Sequence, residues 1–405
     1  MGMKKDTILM QGKNSETSIN APWGKLTGVR PVKIARTLLQ SGATDQEVIR
    51  MFEQEIGADS KRSALAVSIA KLERSLIEQA YDDGISIYVG IPFCPSRCAY
   101  CSFVSFSVDK CEQLLEPYMD CLLKEITASA ELVKNMKRRV ETVYIGGGTP
   151  TTLPPKQLER LLRALQESFD LSALKEFSVE AGRPDTITEE KLQVLKRYGV
   201  TRISLNPQSM NQSVLDKIGR RHSPQDILSA YSLARRLDFQ HINMDVIAGL
   251  PEENYESFCN TLQILTSLDP ESITVHTMSL KRASELNQNT SRYQITAGEV
   301  VGQMICFASE CLDDVGYIPY YLYRQKNILG GYENTGYAKP GRACLYNVYI
   351  MEEVQSILSL GAGGSTKIIL PNDIERIFNV KEPTEYIRRI DEMIERKQKI
   401  YSLIQ

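Results

Sequence analysis

Histidine is almost missing from this chain. Only His222, His241 and His276 occur among 405 residues, which leaves a histidine-completed structural metal site little to draw on. A surplus of charge is missing too: 48 Lys and Arg stand against 50 Asp and Glu, a net charge of −2. A basic footprint is the usual first sign of a nucleic-acid partner, so this balance argues against one. No apolar run approaches the roughly 18 uninterrupted residues of a membrane span. The start, "MGMKKDTILMQGKNSETS", has too short an apolar stretch for a secretory signal. Together these absences predict a cytoplasmic protein. Internal repeats and low-complexity tracts are absent as well. The chain is 42% hydrophobic and 24% charged, enough for a large core and two or three domains.

What is present is cysteine, in one place. Of nine cysteines, Cys94, Cys98 and Cys101 crowd into "GIPFCPSRCAYCSF" with a C-x3-C-x2-C spacing. An odd count in a long chain with one tight cluster suits metal binding better than a disulfide framework. Cys111, Cys121, Cys259, Cys306 and Cys311 fall in helical patterns and read as small buried hydrophobes.

The surrounding texture is a repeat of strand and helix. "ISIYVGIPF", "TVYIGGG", "EFSVEAG", "RISLNPQ", "INMDVIAG" and "SITVHTMSL" are short β-rich runs, each followed by an amphipathic helical pattern. Alternation of this kind predicts a parallel sheet. Six repeats suit an open, partial (β/α)6 barrel of TIM-like form. The expected organisation is an N-terminal helical domain over 1–82, the barrel over 83–316, and a small C-terminal α+β lobe over 317–405 that closes the barrel mouth. The basic, glycine-containing "PWGKLTGVRPVK" at 22–33 reads as a solvated turn. Barrel active sites gather at the C-terminal strand ends. Those ends carry Cys94, Gly146, Gly147, Gly148, Glu180, Gln208, Asp245 and His276, which converge only if the barrel forms.

Three thiolates on one loop imply an incomplete ligand set. A [4Fe–4S] cluster that only carries electrons is held by four cysteines. Three leave one iron open, as a catalytic metal keeps a position for its substrate. An open iron can be chelated by an amino-carboxylate, and the reduced cluster can then drive an electron into a bound sulfonium.

"YVGIPFCPSRCAYC" together with "YIGGGTP" resembles the radical S-adenosylmethionine (SAM) superfamily. More narrowly, it resembles the oxygen-independent coproporphyrinogen III dehydrogenase group, which is HemN/HemW-like. "PWGKLTGVRP" and "YENTGYAKPGRACLYN" make it most similar to the HemZ type. The resemblance covers about residues 22 to 375. It implies a [4Fe–4S] cluster on Cys94, Cys98 and Cys101, with Tyr88 close to SAM. It implies that Gly146, Gly147, Gly148 and Thr149 meet the amino end of its methionine. Glu180 then bonds the cofactor, Gln208 and Asp245 the ribose hydroxyls, and Arg220 the carboxylate. An electron donor such as flavodoxin or ferredoxin is implied, and a monomer is the default.

The family reaction converts propionate side chains of a tetrapyrrole, coproporphyrinogen III, to vinyl groups. "PYYLYRQKNILGGYENTGYAKPGR" offers tyrosines 320, 321, 323, 332 and 337 with Arg324, Lys326, Lys339 and Arg342, groups suited to carboxylates. Arg324 and His276 are the expected substrate-facing and proton-handling residues. The sequence departs from the best-known dehydrogenases at Phe103, where they carry a further cysteine, and at Val348 and Tyr349, where they carry an aromatic–glutamine pair. Two alternatives stay open. One is a heme carrier of the same barrel, whose "HNxxYW" appears here as "YNVYIM" at 346–351. The other is a different radical reaction on a tetrapyrrole.

Overall fold

The computed structural model describes residues 21–26, 30–103, 105–371 and 373–404. The polar start and part of the 22–33 segment lie outside them. Six strands run side by side in chain order, each parallel to the next: β1 (Gly84–Ile91), β2 (Arg139–Gly147), β3 (Glu176–Glu180), β4 (Arg202–Ser204), β5 (Ile242–Ala248) and β6 (Ser272–Thr277). They are buried nearly throughout, as strands covered on both faces must be. This is the partial (β/α)6 barrel.

The returning helices form for local reasons. In Pro155–Ser168, Leu158, Leu161, Leu162 and Leu165 recur at i, i+3, i+4 and i+7, and all four are buried. Glu189–Arg197 starts where the Thr188 side chain accepts the Lys191 N–H, with acids in its first turn and bases in its last. Pro224–Arg236 opens on a reciprocal cap between Ser223 and Asp226.

An open barrel leaves two edges of unpaired backbone groups, which must find partners. Residues after 316 supply them. The hairpin β7 (Ile318–Tyr323) and β8 (Asn334–Ala338) pairs antiparallel with β6. β9 (Ser356–Leu360) lies parallel to β1 on the other edge, followed by β10 (Ser365–Ile369) and β11 (Ile374–Phe378). The eleven-stranded order is β11-β10-β9-β1-β2-β3-β4-β5-β6-β8-β7. The C-terminal segment is thus continuous with the barrel sheet rather than detached. Its helix Leu345–Glu352 packs at the N-terminal strand ends rather than across the mouth: the N–H groups of Leu345 and Tyr346 donate to Glu176 and the Tyr349 hydroxyl to Glu141, while Tyr346, Asn347, Ile350 and Met351 line the interior cavity.

The N-terminal helices Pro31–Gln40, Asp45–Met51 and Ser60–Ile77 share a small core with Leu322 of β7. One expectation is corrected there. Trp23 is fully buried, and its indole N–H donates to Glu333 Oε2 at 2.8 Å. The segment 22–26 is therefore a docked plug, because a large ring with one polar end gains most where the ring is dry and the N–H is paired.

Candidate active site

The C-terminal ends of the barrel strands open into a cavity of about 540 Å3, lined by all three clustered cysteines, Gly147, Gly148, Thr149, Glu180, Gln208, Arg220, Asp245, His276 and Tyr88. Twelve of the fourteen site residues read from the sequence meet on this one surface; Gly146 sits just behind it, and Arg324 faces elsewhere. A second depression, of about 590 Å3, lies on the outer face between 184–187 and the helix Pro224–Arg236 and contains none of them.

The cysteine loop is pinned by backbone bonds. Ala99 N–H donates to Ile218 O at 3.0 Å, Cys101 N–H to Cys98 O at 3.0 Å, and Leu286 N–H to Ala99 O at 2.9 Å. Cys94 Sγ lies 3.4 Å from Thr149 Oγ1. Burial pushes the Cys94 thiol up, and burial with the neighbouring Cys98 lifts Cys101 to about 11. Among the described residues no three His, Cys, Asp or Glu side chains converge on a point as they would for a single ion. The cysteines instead edge a volume.

The glycine triplet has a packing reason that the sequence did not disclose. A Cβ on Gly148 would stand 2.5 Å from Phe93 O and 3.0 Å from Cys94 Sγ, and Gly147 adopts φ +111° against the Ile91 backbone. Only glycine lets β2 come this close to the strand that leads into the cysteine loop.

Glu180 ends β3, and its Oε1 accepts the Tyr144 hydroxyl at 2.6 Å. Burial raises its carboxyl to about 7; the Asp245 charge adds to the rise, while Tyr144 and His276 pull the other way. Asp245 behaves oppositely. Burial would raise it, but His276, Asn243 and Thr274 outweigh burial and hold it below the ordinary value. Its carboxylate lies 3.5 Å from His276 Nε2 and accepts Asn243 Nδ2 at 2.7 Å. His276 Nδ1 lies 3.4 Å from the Tyr323 hydroxyl. Two carboxyl groups in one cavity are thereby held at different protonation.

Arg220 is buried and donates to the carbonyls of Gly182 and Asn206 and to the Tyr100 hydroxyl. Burial opposes its charge, but Tyr100 and Cys98 more than offset this and raise its pKa. Gln208 sits at φ +67°, an uncommon conformation for a side chain of that size. A backbone bridge to β5 holds it there. Tyr88, Tyr144 and Tyr346 stack at centroid distances of 6.2, 6.3 and 4.6 Å.

Arg324 is the correction. Its guanidinium donates to Leu26 O at 2.6 Å and Gly331 O at 3.2 Å and faces the Trp23 ring. Beyond the irregularity that leaves Tyr320 out of the pairing, Tyr321, Tyr323 and Gln325 face the cavity, and alternation sends Arg324 to the opposite side. Lys326, Tyr332, Tyr337, Lys339 and Arg342 are likewise absent from the cavity wall, whereas Tyr320, Tyr321 and Tyr323 form it.

Three residues escaped the sequence reading. Arg183 is buried, pairs through two bonds with Asp185, and directs Nη1 at Cys98 Sγ from 3.4 Å. Tyr144 pairs in register with Tyr88, two residues before the glycines on the same strand face, so the period-2 pattern could have found it. Asn206 lies between Ser204 and Gln208 at the same strand end.

The polar atoms test what the cavity suits. Gln208 Oε1, Asn206 Oδ1 and Arg220 Nε are buried there with no protein partner. Buried polar groups are seldom left so. Acceptors and a cationic donor converging beside three cysteines fit a polar ligand with amino, carboxylate and hydroxyl groups.

Residues 88–265 match the Radical SAM superfamily. Over 390 residues, 95% of this chain and 78% of the relative, the sequence is 40% identical to the oxygen-independent coproporphyrinogen-III oxidase-like protein HemZ of Bacillus subtilis (strain 168). The chain belongs to the HemZ family of radical SAM proteins. The radical SAM cofactors, a [4Fe–4S] cluster and SAM, are therefore its own. This HemZ-type chain is also 26% identical over 305 residues to the heme chaperone HemW of Escherichia coli (strain K12), covering 75% of this chain and 76% of that one. Its fold matches that of coproporphyrinogen III oxidase (HemN) from Escherichia coli with a TM-score of 0.64 at 22% identity, over 80% of this chain and 73% of the other. No helix among the described residues is long and apolar enough to cross a membrane.

Proposed function

We propose that the protein oxidatively decarboxylates propionate side chains of a porphyrinogen, with coproporphyrinogen III as the substrate and porphyrin biosynthesis as the setting. The observation that carries this reading is the composition of one cavity. Its strand ends carry the cysteines and the orphaned polar atoms, and besides Tyr100 of the cysteine loop six tyrosines line it, Tyr88, Tyr144, Tyr320, Tyr321, Tyr323 and Tyr346. Aromatic faces with hydroxyl edges suit a macrocycle of pyrrole rings that carries carboxylates.

In this reading Cys94, Cys98 and Cys101 ligate three irons of the cluster. When bound, the reduced cluster and SAM supply a carbon radical able to take an unactivated hydrogen. Gly147, Gly148 and Thr149, with Gly146 behind them, shape the cradle for the amino end of SAM. Arg220 meets its carboxylate, Gln208 and Asp245 its ribose, and Glu180 bonds the cofactor as an ionised acceptor. Tyr88 packs against it. Arg183 offsets negative charge at Cys98. His276, held between Asp245 at Nε2 and the Tyr323 hydroxyl at Nδ1, handles a proton through that pair. Transfer of a propionate β hydrogen atom to that radical, then loss of carbon dioxide and of one electron to an external one-electron acceptor, would leave the vinyl group. A flavodoxin or ferredoxin supplies the reducing electron, and the working unit is a monomer.

The heme-carrier reading rests on the HemW likeness. It lacks a free imidazole here, since the cavity's one histidine is engaged by Asp245 and Tyr323. Anaerobic incubation of the reconstituted protein with dithionite, SAM and coproporphyrinogen III decides the matter. Stepwise loss of two carboxylates with 5′-deoxyadenosine formation, abolished in Cys98→Ala, is the expected result. SAM cleavage with intact propionates would overturn the substrate, and heme binding without cleavage would favour the carrier.

A further inference from the structure

Four cations line the cavity: Arg183, Arg202, Arg220 and Lys281. Three are already committed, two to carboxylates of the protein and one to SAM. Arg183 is held by Asp185. Arg202 lies 3.5 Å from Glu176 and donates to Arg342 O at 2.6 Å. Arg220 donates to two carbonyls and Tyr100, and its remaining Nε is the donor assigned above to the SAM carboxylate. The Lys281 ammonium has no hydrogen bond or ion pair to any described residue, and the residue is only partly exposed. Burial pulls its pKa below the ordinary lysine value, with no carboxylate to offset the loss.

Its backbone is fixed. Lys281 O accepts the Ser284 N–H at 2.9 Å and the Ser284 hydroxyl at 2.7 Å, and Leu280 N–H donates to Asn327 O at 3.0 Å. Arg97 of the cysteine loop donates to Ala283 O at 2.6 Å, and Leu286 N–H reaches Ala99 O. The ammonium therefore projects from a braced rim tied to the cluster loop, four residues beyond β6. The two carboxyl groups of the cavity, Glu180 and Asp245, repel a substrate carboxylate once ionised, and His276 is already engaged by Asp245. An anionic substrate needs a cation in this cavity; Arg183 and Arg202 are ion-paired with Asp185 and Glu176, and Arg220 is assigned to SAM, which leaves Lys281.

We propose that Lys281 is the residue that binds a carboxylate of the substrate, which makes it a determinant of specificity for acidic tetrapyrroles. This rests on the tetrapyrrole reading above. A lysine is a compact, strongly hydrated donor on a flexible stem, and it can follow a carboxylate on a macrocycle that turns between two decarboxylations.

The test uses the cluster-reconstituted full chain and two probes: coproporphyrin III, the stable oxidised form of the substrate, and its tetramethyl ester. Binding is followed by fluorescence quenching, and iron and sulfide content shows that each variant is loaded. Lys281→Met is expected to weaken the acid roughly ten- to a hundredfold, the worth of a hydrogen bond to a charged group. The ester should be unaffected, and Lys281→Arg should restore most of the loss. Equal weakening of acid and ester would overturn the assignment while leaving the tetrapyrrole reading intact. A raised SAM requirement with unchanged porphyrin affinity would hand the lysine to the cofactor carboxylate, also overturning it. Failure of the wild type to bind either porphyrin would overturn both readings.

Discussion

SAM affinity should depend on pH through Glu180. The free protein holds this carboxyl near 7, mainly by burial, against the opposing bond from Tyr144. SAM brings a fixed positive sulfonium, so the complex favours the ionised carboxylate. The sign follows: below pH 7 binding must expel a proton, and above it the carboxylate is already charged. One pH unit below the pKa costs about 1.4 kcal/mol, a factor of ten. From pH 8 to pH 6 the dissociation constant should therefore rise roughly tenfold, with most of the change below 7. Anaerobic calorimetry on the loaded protein at pH 6, 7 and 8, in two buffers of different ionisation enthalpy, measures both affinity and proton release. Titration of the SAM amine is common to wild type and Glu180→Gln, so the difference between them isolates Glu180. Tyr144→Phe removes the bond that lowers the pKa and should move the midpoint upward. Identical pH slopes in wild type and Glu180→Gln would refute the reasoning.

Three further outcomes are expected. Lys397 pairs with Glu125 and Asn379 in a buried site that ties the helix Ile390–Ile404 to the helix Leu115–Asn135; Lys397→Met strands Glu125 and should cost about 3–5 kcal/mol in urea unfolding, and a loss within error of zero would contradict this. Trp23, the one tryptophan in the chain, is dry and paired with Glu333, so native emission should be blue-shifted and Trp23→Ala should lower stability by about 3–5 kcal/mol; water-like emission in the folded protein would show that the plug is undocked. Arg183→Met leaves Asp185 unpaired and Cys98 without its cationic neighbour. Reconstituted iron content should fall or its loss to a chelator accelerate, and a cluster as stable as in wild type would remove Arg183 from that role.

The contrast between Tyr323 and Arg324 marks where sequence reading stops. Both lie in one tyrosine-rich run that composition assigns to a carboxylate site. Only the pairing of β7 with β8, including an irregularity near Gly336 and Tyr337, decides which parity faces inward, and a single residue of register exchanges the two faces. The same holds for Trp23, whose partner Glu333 is 310 residues away, and for Arg183, which needs the third strand end beside the cysteine loop to be noticed at all.

Local order was legible because its causes are local. Leucine spacing, Thr188 and Ser223 caps and uniformly apolar strands report on neighbours within a few residues, and the C-x3-C-x2-C loop carries its chemistry in eight positions. The sequence alone therefore determined a parallel α/β barrel, its strand ends, the three thiolates and the cofactor class. Only the tertiary structure decided that the C-terminal segment completes both sheet edges. It also decided that Gly147 and Gly148 serve strand approach and that Lys281 is the cation left without a partner. Such facts are differences between groups competing for the same few acceptors, and that competition begins only when distant segments share one cavity.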